Sequence, residues 1–171
     1  MWPRQRDGVT CGPSVAVMAG VLLDADYGAP LRGARPQQWF DAEQGRVHSA
    51  VNMIWPRALG TTPAGMARAL TVHSITRGVR YRWRPAVTGD ALSAVCEAVA
   101  AGWPVAMLLG SLIPRHWVLL TEIDGAALRC YEPSGGSVVS VPVADIRAAR
   151  IAGLGYARPF AFVMPHIVTA I

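Results

Sequence analysis

Three short apolar segments in the second half of the chain constrain its fold more than any other feature. Residues 105–109, 116–123 and 128–132 are rich in apolar side chains, and each has the length of a strand. The connections between them are too short for a crossover helix, so consecutive strands must run antiparallel. Asp124-Gly125 is a turn signal between the last two segments. We therefore expect an antiparallel β-meander in this half of the chain.

The connection between the last two of these strands decides where His116 and Glu132 lie relative to each other. A three-residue loop at residues 124–126 makes them diagonal neighbours on one face of the sheet, and a loop centred on Asp124 alone places them directly opposite. A two-residue turn puts them on opposite faces. Two of the three registers thus bring the imidazole within reach of the carboxylate, as a general base and its orienting group require.

The first half of the chain is predicted to be helical, and its first helix opens with a cysteine. Cys11, Gly12 and Pro13 precede apolar residues at helical spacing, and the helix is expected to end near residue 23. Pro13 fits the first turn, where no backbone donor is lost. A thiol reacts as thiolate, and we expect a helix N-terminus and a nearby imidazolium to lower its pKa. Cys11 is therefore a candidate nucleophile.

The segment that follows is predicted to hold less regular structure. Residues 24–46 are polar and rich in Gly and Pro, which indicates a surface excursion with at most a short helix at about residues 37–44. A second helix is predicted to open at Thr62, because Pro63 suits a first helical turn. Residues 73–84 are predicted to form one or two short strands with arginines on one face.

A third helix is predicted at about residues 90–101. Asp90 is its expected N-cap and Gly102 its expected end, and Cys96 lies on its apolar stripe. A last strand is predicted at residues 160–164. Helices followed by antiparallel strands define the α+β class.

The length of 171 residues fits a single domain covering residues 1–171. Its helical half is expected at about residues 1–71, and the sheet half at about residues 72–171. The cleft between the two halves would hold the site.

The charge of the chain comes from arginine alone. The formal net charge is +5, and all sixteen basic side chains are Arg. A GC-rich coding bias explains this composition, and avoidance of lysine-directed modification is the alternative. A nucleic-acid partner is not expected, because arginines and aromatics fall on opposite faces of the strand at residues 79–84.

Composition also bears on compartment and metal binding. Three cysteines, Cys11, Cys96 and Cys130, have no paired spacing, which argues against a disulfide framework and a zinc site. No apolar run approaches the roughly 20 residues that span a bilayer. We expect a cytoplasmic protein without a membrane partner, or a delivered or secreted one if the chain is part of a longer effector or toxin.

The motifs resemble those of the papain-like cysteine peptidase superfamily. Gln5 six residues before Cys11, then Gly12-Pro13, then His116-Trp117 with an apolar run, and finally Glu132-Pro133 are most similar to the compact branch of bacterial bacteriocin-leader peptidases. The resemblance covers about residues 5–143. It departs from that branch at Glu132, where the family usually has Asp or Asn.

The resemblance implies a role for each matched residue. It makes Cys11 the nucleophile, His116 the acid and base, Glu132 the group that orients the imidazole, and Gln5 an oxyanion-hole donor with the backbone N–H of Cys11. It further implies that Gly12 and Trp117 bind substrate. Neither a metal nor an organic cofactor is implied.

Three activities are compatible with these residues. The first is a thiol hydrolase, a cysteine peptidase or isopeptidase acting on an extended peptide or protein substrate. A second is a deamidase or transglutaminase-type effector that uses the same triad. The third is a catalytically silent papain-like binding module. Because we predict no inhibitory propeptide, an active enzyme would need narrow specificity or a partner that activates or inhibits it, such as an immunity protein.

Overall fold

The computed structural model of the chain describes residues 2–51, 61–87 and 91–167. Helices occupy most of the first half of these residues, and strands most of the second. The helices are Cys11–Leu23 (α1), Pro36–Val51 (α2), Pro63–Ser74 (α3), Ala91–Ala100 (α4) and Val143–Arg147 (α5). The strands are Val79–Pro85 (β1), Val105–Gly110 (β2), Pro114–Asp124 (β3), Ala127–Glu132 (β4), Ser137–Pro142 (β5) and Arg158–Ile167 (β6). This order confirms the predicted α+β class.

The strands form one antiparallel sheet in the order β1-β6-β2-β3-β4-β5. The last strand of the chain therefore lies inside the sheet, between β1 and β2. Apolar side chains cover both faces: Trp117 and Leu119 of β3 pack with α1, α2 and α3, whereas Val118 and Leu120 pack with α4 and α5. Burial on both faces explains why β2 and β3 are continuous apolar runs rather than alternating ones.

The β3–β4 connection is a two-residue turn. Asp124 pairs with Ala127, which leaves Gly125 and one further residue in the turn. Gly125 has a φ of 58°, in the left-handed region that glycine adopts without steric cost. The three-residue loop and the loop centred on Asp124 are therefore both wrong. By itself, a two-residue turn would place His116 and Glu132 on opposite faces.

A β-bulge in β3 brings His116 and Glu132 back to the same face. The pairing of β3 with β4 shifts by one residue at Thr121, and beyond the shift Leu119 faces Tyr131. This is the register that a three-residue loop would have set. One extra residue changes the face of every later side chain, so the bulge returns His116 and Glu132 to the same face as diagonal neighbours.

Helix α2 is twice as long as the short helix predicted at residues 37–44. It has 16 residues, and Phe40, Gln44 and Val47 are buried at helical spacing. Gln44 is fully buried because its Oε1 accepts hydrogen bonds from the hydroxyl of Ser14 (2.8 Å) and the backbone N–H of Arg6 (3.0 Å). Because a polar glutamine lies on the core face, the apolar pattern of the sequence did not indicate this helix. The hydrogen bonds of Gln44 also link the N-terminal segment and α1 to α2.

Helix α3 opens as predicted and runs further than expected. The hydroxyl of Thr62 accepts a hydrogen bond from the backbone N–H of Gly65 (3.1 Å), which is the predicted N-cap. The helix continues to Ser74, and a 3-10 turn follows at Ile75–Arg77. The prediction of strand at residues 73–77 was therefore wrong, and the helical half extends past residue 71.

Helix α4 agrees with its prediction at the C-terminal end. Val95 and Val99 are buried in the core, Cys96 is partly buried, and Gly102 adopts a φ of 80° just beyond the helix. The predicted cap, Asp90, lies outside the described residues. None of the helices in the described ranges is long and apolar enough to cross a membrane.

Candidate active site

Cys11 is the first residue of α1, and its thiol lies against β3. Only 8% of the residue is exposed. The backbone N–H groups of Trp117, Gly12 and Cys11 itself face the sulfur and favour the thiolate. Burial outweighs these donors, however, and it raises the pKa of the thiol above its ordinary value, with the Glu132 charge adding to the rise. The predicted lowering of the thiol pKa is thus wrong for this state of the protein.

Glu132 is held by the turn that follows it. Its Oε1 accepts a hydrogen bond from the backbone N–H of Ser134 (2.8 Å), and its Oε2 accepts one from that of Gly135 (2.6 Å). Burial tends to raise the pKa of the carboxyl, but these backbone donors, aided by His116, outweigh burial and hold it below the ordinary value. The carboxylate is therefore ionised at neutral pH and acts only as an acceptor.

This clamp also accounts for the departure from aspartate. A glutamate is one methylene longer, and an unconstrained side chain would spread over several rotamers. Here both oxygens are fixed by consecutive backbone donors. A Cβ at Gly135 would lie 3.2 Å from Oε2 of Glu132 and 3.1 Å from the hydroxyl of Ser137, so the close approach uses a glycine. The residues after Glu132 thus take up the extra length.

His116 is oriented by that carboxylate. Its Nε2 lies 2.9 Å from Oε1 of Glu132. Because an ionised carboxylate can only accept, Nε2 must carry the proton, and Nδ1 is left as the basic nitrogen. Burial lowers the pKa of the imidazole, although the Glu132 charge opposes this. In the resting state the imidazole is therefore neutral and the Cys11 thiol protonated, and the backbone N–H of Trp117, the residue after His116, faces the sulfur.

Gln5 lies beside the same turn. Its backbone N–H donates to the carbonyl of Pro133 (2.7 Å), and the hydroxyl of Ser134 donates to its Oε1 (3.4 Å). Its Nε2 donates to the carbonyl of Asp7 (2.7 Å). One of the two amide protons is thus engaged within the N-terminal segment. The second has no acceptor in the part of the chain that the structure describes, so it is available for the donor role that the resemblance implies. That role stays a prediction.

Gly12 and Trp117 meet beneath the first turn of α1. The indole of Trp117 is 2% exposed and donates its Nε1 proton to the carbonyl of Thr61 (2.8 Å). The side chain of Thr61 in turn packs against Gly12. The indole therefore fixes the Cys11 turn against β3, and the backbone of Trp117 is what faces the thiol. Substrate binding by Gly12 and Trp117 stays a prediction.

Replacing Gly12 with alanine is expected to destabilise the protein. The added Cβ would lie 2.6 Å from Cβ of Thr61 and 3.3 Å from Cδ1 of Trp117, in a region with no room to relax. Overpacking of this kind costs about 1–3 kcal/mol, which urea unfolding would measure. Gly8→Ala is the matched control, because nothing lies within 4 Å of its Cβ position. Equal stability of the two variants would contradict this packing.

Three groups near the site carried no signal in the sequence. The centre of the Tyr156 ring lies 6.0 Å from that of the His116 imidazole, and Tyr156 belongs to the loop between α5 and β6. Thr61 belongs neither to the motif around Cys11 nor to the motif around His116. Ser134 and Gly135 hold Glu132 through their backbone N–H groups, and residue types do not predict backbone contacts of this kind. The glycines of Glu132-Pro-Ser-Gly-Gly were the available hint of a tight anion-binding turn.

Cys96, Cys130 and His73 lie outside this cluster. Cys96 and Cys130 are free thiols like Cys11, and Cys130 is buried in the core behind Glu132. His73 stacks on a tyrosine at the far end of α1. Among the residues at 2–51, 61–87 and 91–167, no group of three or more His, Cys, Asp or Glu is arranged to hold a metal ion.

A cysteine that opens a buried helix beside a His–acid pair on an antiparallel sheet is the arrangement of the papain-like fold. Two solved structures share that fold with this chain. They confirm the predicted α+β, papain-like architecture.

The first is a double glycine motif protease from an AMS/PCAT transporter, in complex with the leader peptide. It has a TM-score of 0.51 and 12% identity, and the match covers 98% of this chain and 91% of that chain. The second is the peptidase domain of Streptococcus ComA, a bi-functional ABC transporter involved in a quorum sensing pathway. It has a TM-score of 0.55 and 14% identity, and the match covers 96% of this chain and 98% of that chain. No family model matches the chain, and no curated protein matches it in sequence.

The imidazole of His116 is expected to titrate below 6.5, its ordinary value. Nuclear magnetic resonance of the histidine ring protons would measure this directly. Because the folded-state pKa is depressed, this residue contributes stability above about pH 6.5, and the contribution is lost as the pH falls toward the folded value. Glu132→Gln should lower the midpoint further, since it removes the charge that favours the imidazolium. A midpoint above 7 would contradict the burial argument.

Proposed function

We propose that this protein is a cysteine peptidase that uses Cys11 as nucleophile, His116 as acid and base, and Glu132 as the orienting carboxylate. The observation that carries the proposal is the His116–Glu132 hydrogen bond, with the carboxylate clamped by backbone donors beside a helix-opening cysteine. The shared fold with two peptidase domains supports the same activity.

The first chemical step would begin from the neutral pair. The sulfur of Cys11 attacks the carbonyl carbon of the scissile bond while its proton passes to Nδ1 of His116. The imidazolium that forms is stabilised by the Glu132 carboxylate. The imidazolium then donates this proton to the leaving amine. The C–N bond breaks, and the acyl group remains bound to Cys11 as a thioester.

Hydrolysis of the thioester would complete the cycle. His116 takes a proton from water, the hydroxide attacks the thioester carbonyl, and the carboxylic acid product leaves as the Cys11 thiol re-forms. The negative charge that develops on the carbonyl oxygen requires donors at the helix start. The backbone N–H of Cys11 and the second amide proton of Gln5 are the proposed donors, and losing one donor typically costs about a hundredfold or more in rate.

The proposed substrate is an extended peptide with small residues before the scissile bond. The protease from the AMS/PCAT transporter was solved with a leader peptide, and its name refers to a double-glycine motif. Cys11 is nearly buried, so a backbone without bulky side chains would reach the thiol most easily. Delivery as an effector and control by an immunity protein are further proposals that rest on this activity.

Cleavage of a synthetic peptide with a Gly-Gly pair in its centre tests the proposal. Mass spectrometry should find two products cut after the second glycine, and the same peptide with Leu-Leu at that position should stay intact. Conversion of a glutamine side chain without chain cleavage would favour the deamidase instead. Tight binding without any product would favour the silent binding module.

A further inference from the structure

A groove remote from Cys11 lies between α4 and the β1–β6 edge of the sheet. Its wall on the strand side includes Arg82, Trp83 and Arg84, and its wall on the helix side includes Glu97 and Ala98. Its volume of about 440 Å³ lies within the range of about 300–1,000 Å³ that ligand pockets occupy. The β2 strand separates this edge from β3, which carries His116, so the groove is distinct from the candidate active site.

Arginines give the groove positive charge, and within the described ranges no carboxylate lies within 4.0 Å of those that line it. Arg82 and Arg84 are exposed. Within residues 2–51, 61–87 and 91–167, the arginines within 4.0 Å of a carboxylate are Arg6, Arg46 and Arg129. Glu97, the acidic member of the lining, is therefore not paired with Arg82 or Arg84. Two unpaired guanidinium groups in a concave site present fork-shaped donors that match carboxylates.

Side chains of α3 cover part of the edge of β1. The backbone N–H of Tyr81 donates to the hydroxyl of Thr71 (2.9 Å), and the hydroxyl of Ser74 donates to the carbonyl of Val79 (2.9 Å). Pro85 has no N–H to offer. Side chains of α3 thus occupy two of the backbone groups that a further strand would need, and the groove offers side chains for an occupant instead.

Aromatic residues in the groove argue against nucleic acid. The guanidinium of Arg77 lies 4.1 Å from the centre of the Trp103 ring, so one face of that ring is unavailable for a base. The ring of Trp83 lies on the opposite face of β1 from Arg82 and Arg84, so it gives a base no stacking surface beside the guanidinium groups. Ala98 and Met164 offer apolar surface in the groove beside the arginines. This combination fits carboxylates next to an apolar side chain.

We propose that this groove docks an acidic peptide segment of a partner protein. Two carboxylates of the segment pair with Arg82 and Arg84, and an apolar side chain between them packs on Ala98 and Met164. The Arg-borne net charge of +5 steers such a partner toward the protein. This inference does not depend on peptidase activity, because the groove shares no residue with the Cys11 site.

Fluorescence anisotropy with a labelled peptide tests the proposal. The probe is a short peptide with glutamates on both sides of a phenylalanine, and its control has glutamine in place of each glutamate. The protein carries Cys11→Ala, so that any cleavage activity cannot consume the probe. We expect saturable binding that weakens as salt is raised. The double variant Arg82→Glu/Arg84→Glu should weaken binding by at least about tenfold, since it replaces two attractive charges in the groove with two repulsive ones.

The control variant is Arg32→Glu/Arg35→Glu, which makes the same change of charge at two exposed arginines outside the groove. It should bind the probe within about twofold of the parent if docking depends on the groove. Equal loss in both double variants would show attraction by net charge alone and would overturn the proposal. So would equal binding of the glutamine peptide, or tighter groove-dependent binding of an oligonucleotide or an anionic vesicle.

Discussion

Cys11→Ala should reduce cleavage of the Gly-Gly peptide by at least about a thousandfold in kcat/KM, because removing a catalytic nucleophile costs this much or more. The side chain is the proposed attacking group, and the other two thiols in the chain, Cys96 and Cys130, lie away from His116. Product formation measured by mass spectrometry over several hours would detect residual activity.

The control for this variant is Cys96→Ala. Cys96 is partly buried on α4, on the opposite face of the sheet from α1, and its loss should leave kcat/KM unchanged. The midpoint temperature of thermal unfolding of Cys11→Ala should lie close to that of the parent, since the change removes one sulfur atom from a packed site. Cleavage that persists in Cys11→Ala would assign the reaction to another group.

Glu132→Gln should lower kcat by roughly a thousandfold or more, because a neutral amide in the place of an orienting carboxylate selects the wrong imidazole tautomer. The amide has an NH2 group where the carboxylate had an acceptor. If this group faces His116, then Nδ1 carries the proton and is no longer a base. If it faces Ser134 or Gly135 instead, two donors oppose each other and the clamp opens.

Glu132→Asp tests the negative charge of the carboxylate separately from its hydrogen bonds to Ser134 and Gly135. The shorter side chain keeps the negative charge but cannot reach the imidazole and both backbone donors together at the distances seen here. We expect kcat to fall between the parent and Glu132→Gln, and KM to change little, since the carboxylate does not contact substrate. Full activity in Glu132→Gln would exclude Glu132 as the orienting group.

The sequence predicted the elements that carry the site better than the way they are joined. Apolar spacing and local caps gave α1, α3 and the meander strands, because short-range periodicity reports local burial. The His116–Glu132 neighbourhood was also anticipated, although by the wrong loop. The bulge at Thr121 that corrects the register has no local signature, because it is set by packing on both faces of the sheet.

Two other features depended on tertiary contacts. The polar residues of α2 suggested a surface loop, but Gln44 is buried by bonding to Ser14 and Arg6, which are distant in sequence. The pKa of Cys11 was expected to fall because of its helix and its histidine. Burial dominates instead, and the burial of a thiol cannot be read from its immediate neighbours. Backbone donors to Glu132 were likewise invisible to residue-type reasoning.

The central claim is that Cys11 is a nucleophile that is activated by His116 and attacks a bound peptide substrate. The most direct test is intact-mass analysis after treatment with a peptide vinyl sulfone that ends in Gly-Gly. The account predicts one adduct, located on Cys11 although Cys96 is the more exposed thiol, and much slower labelling in His116→Ala. First labelling of Cys96, or labelling of Cys11 at the same rate in parent and His116→Ala, would contradict it.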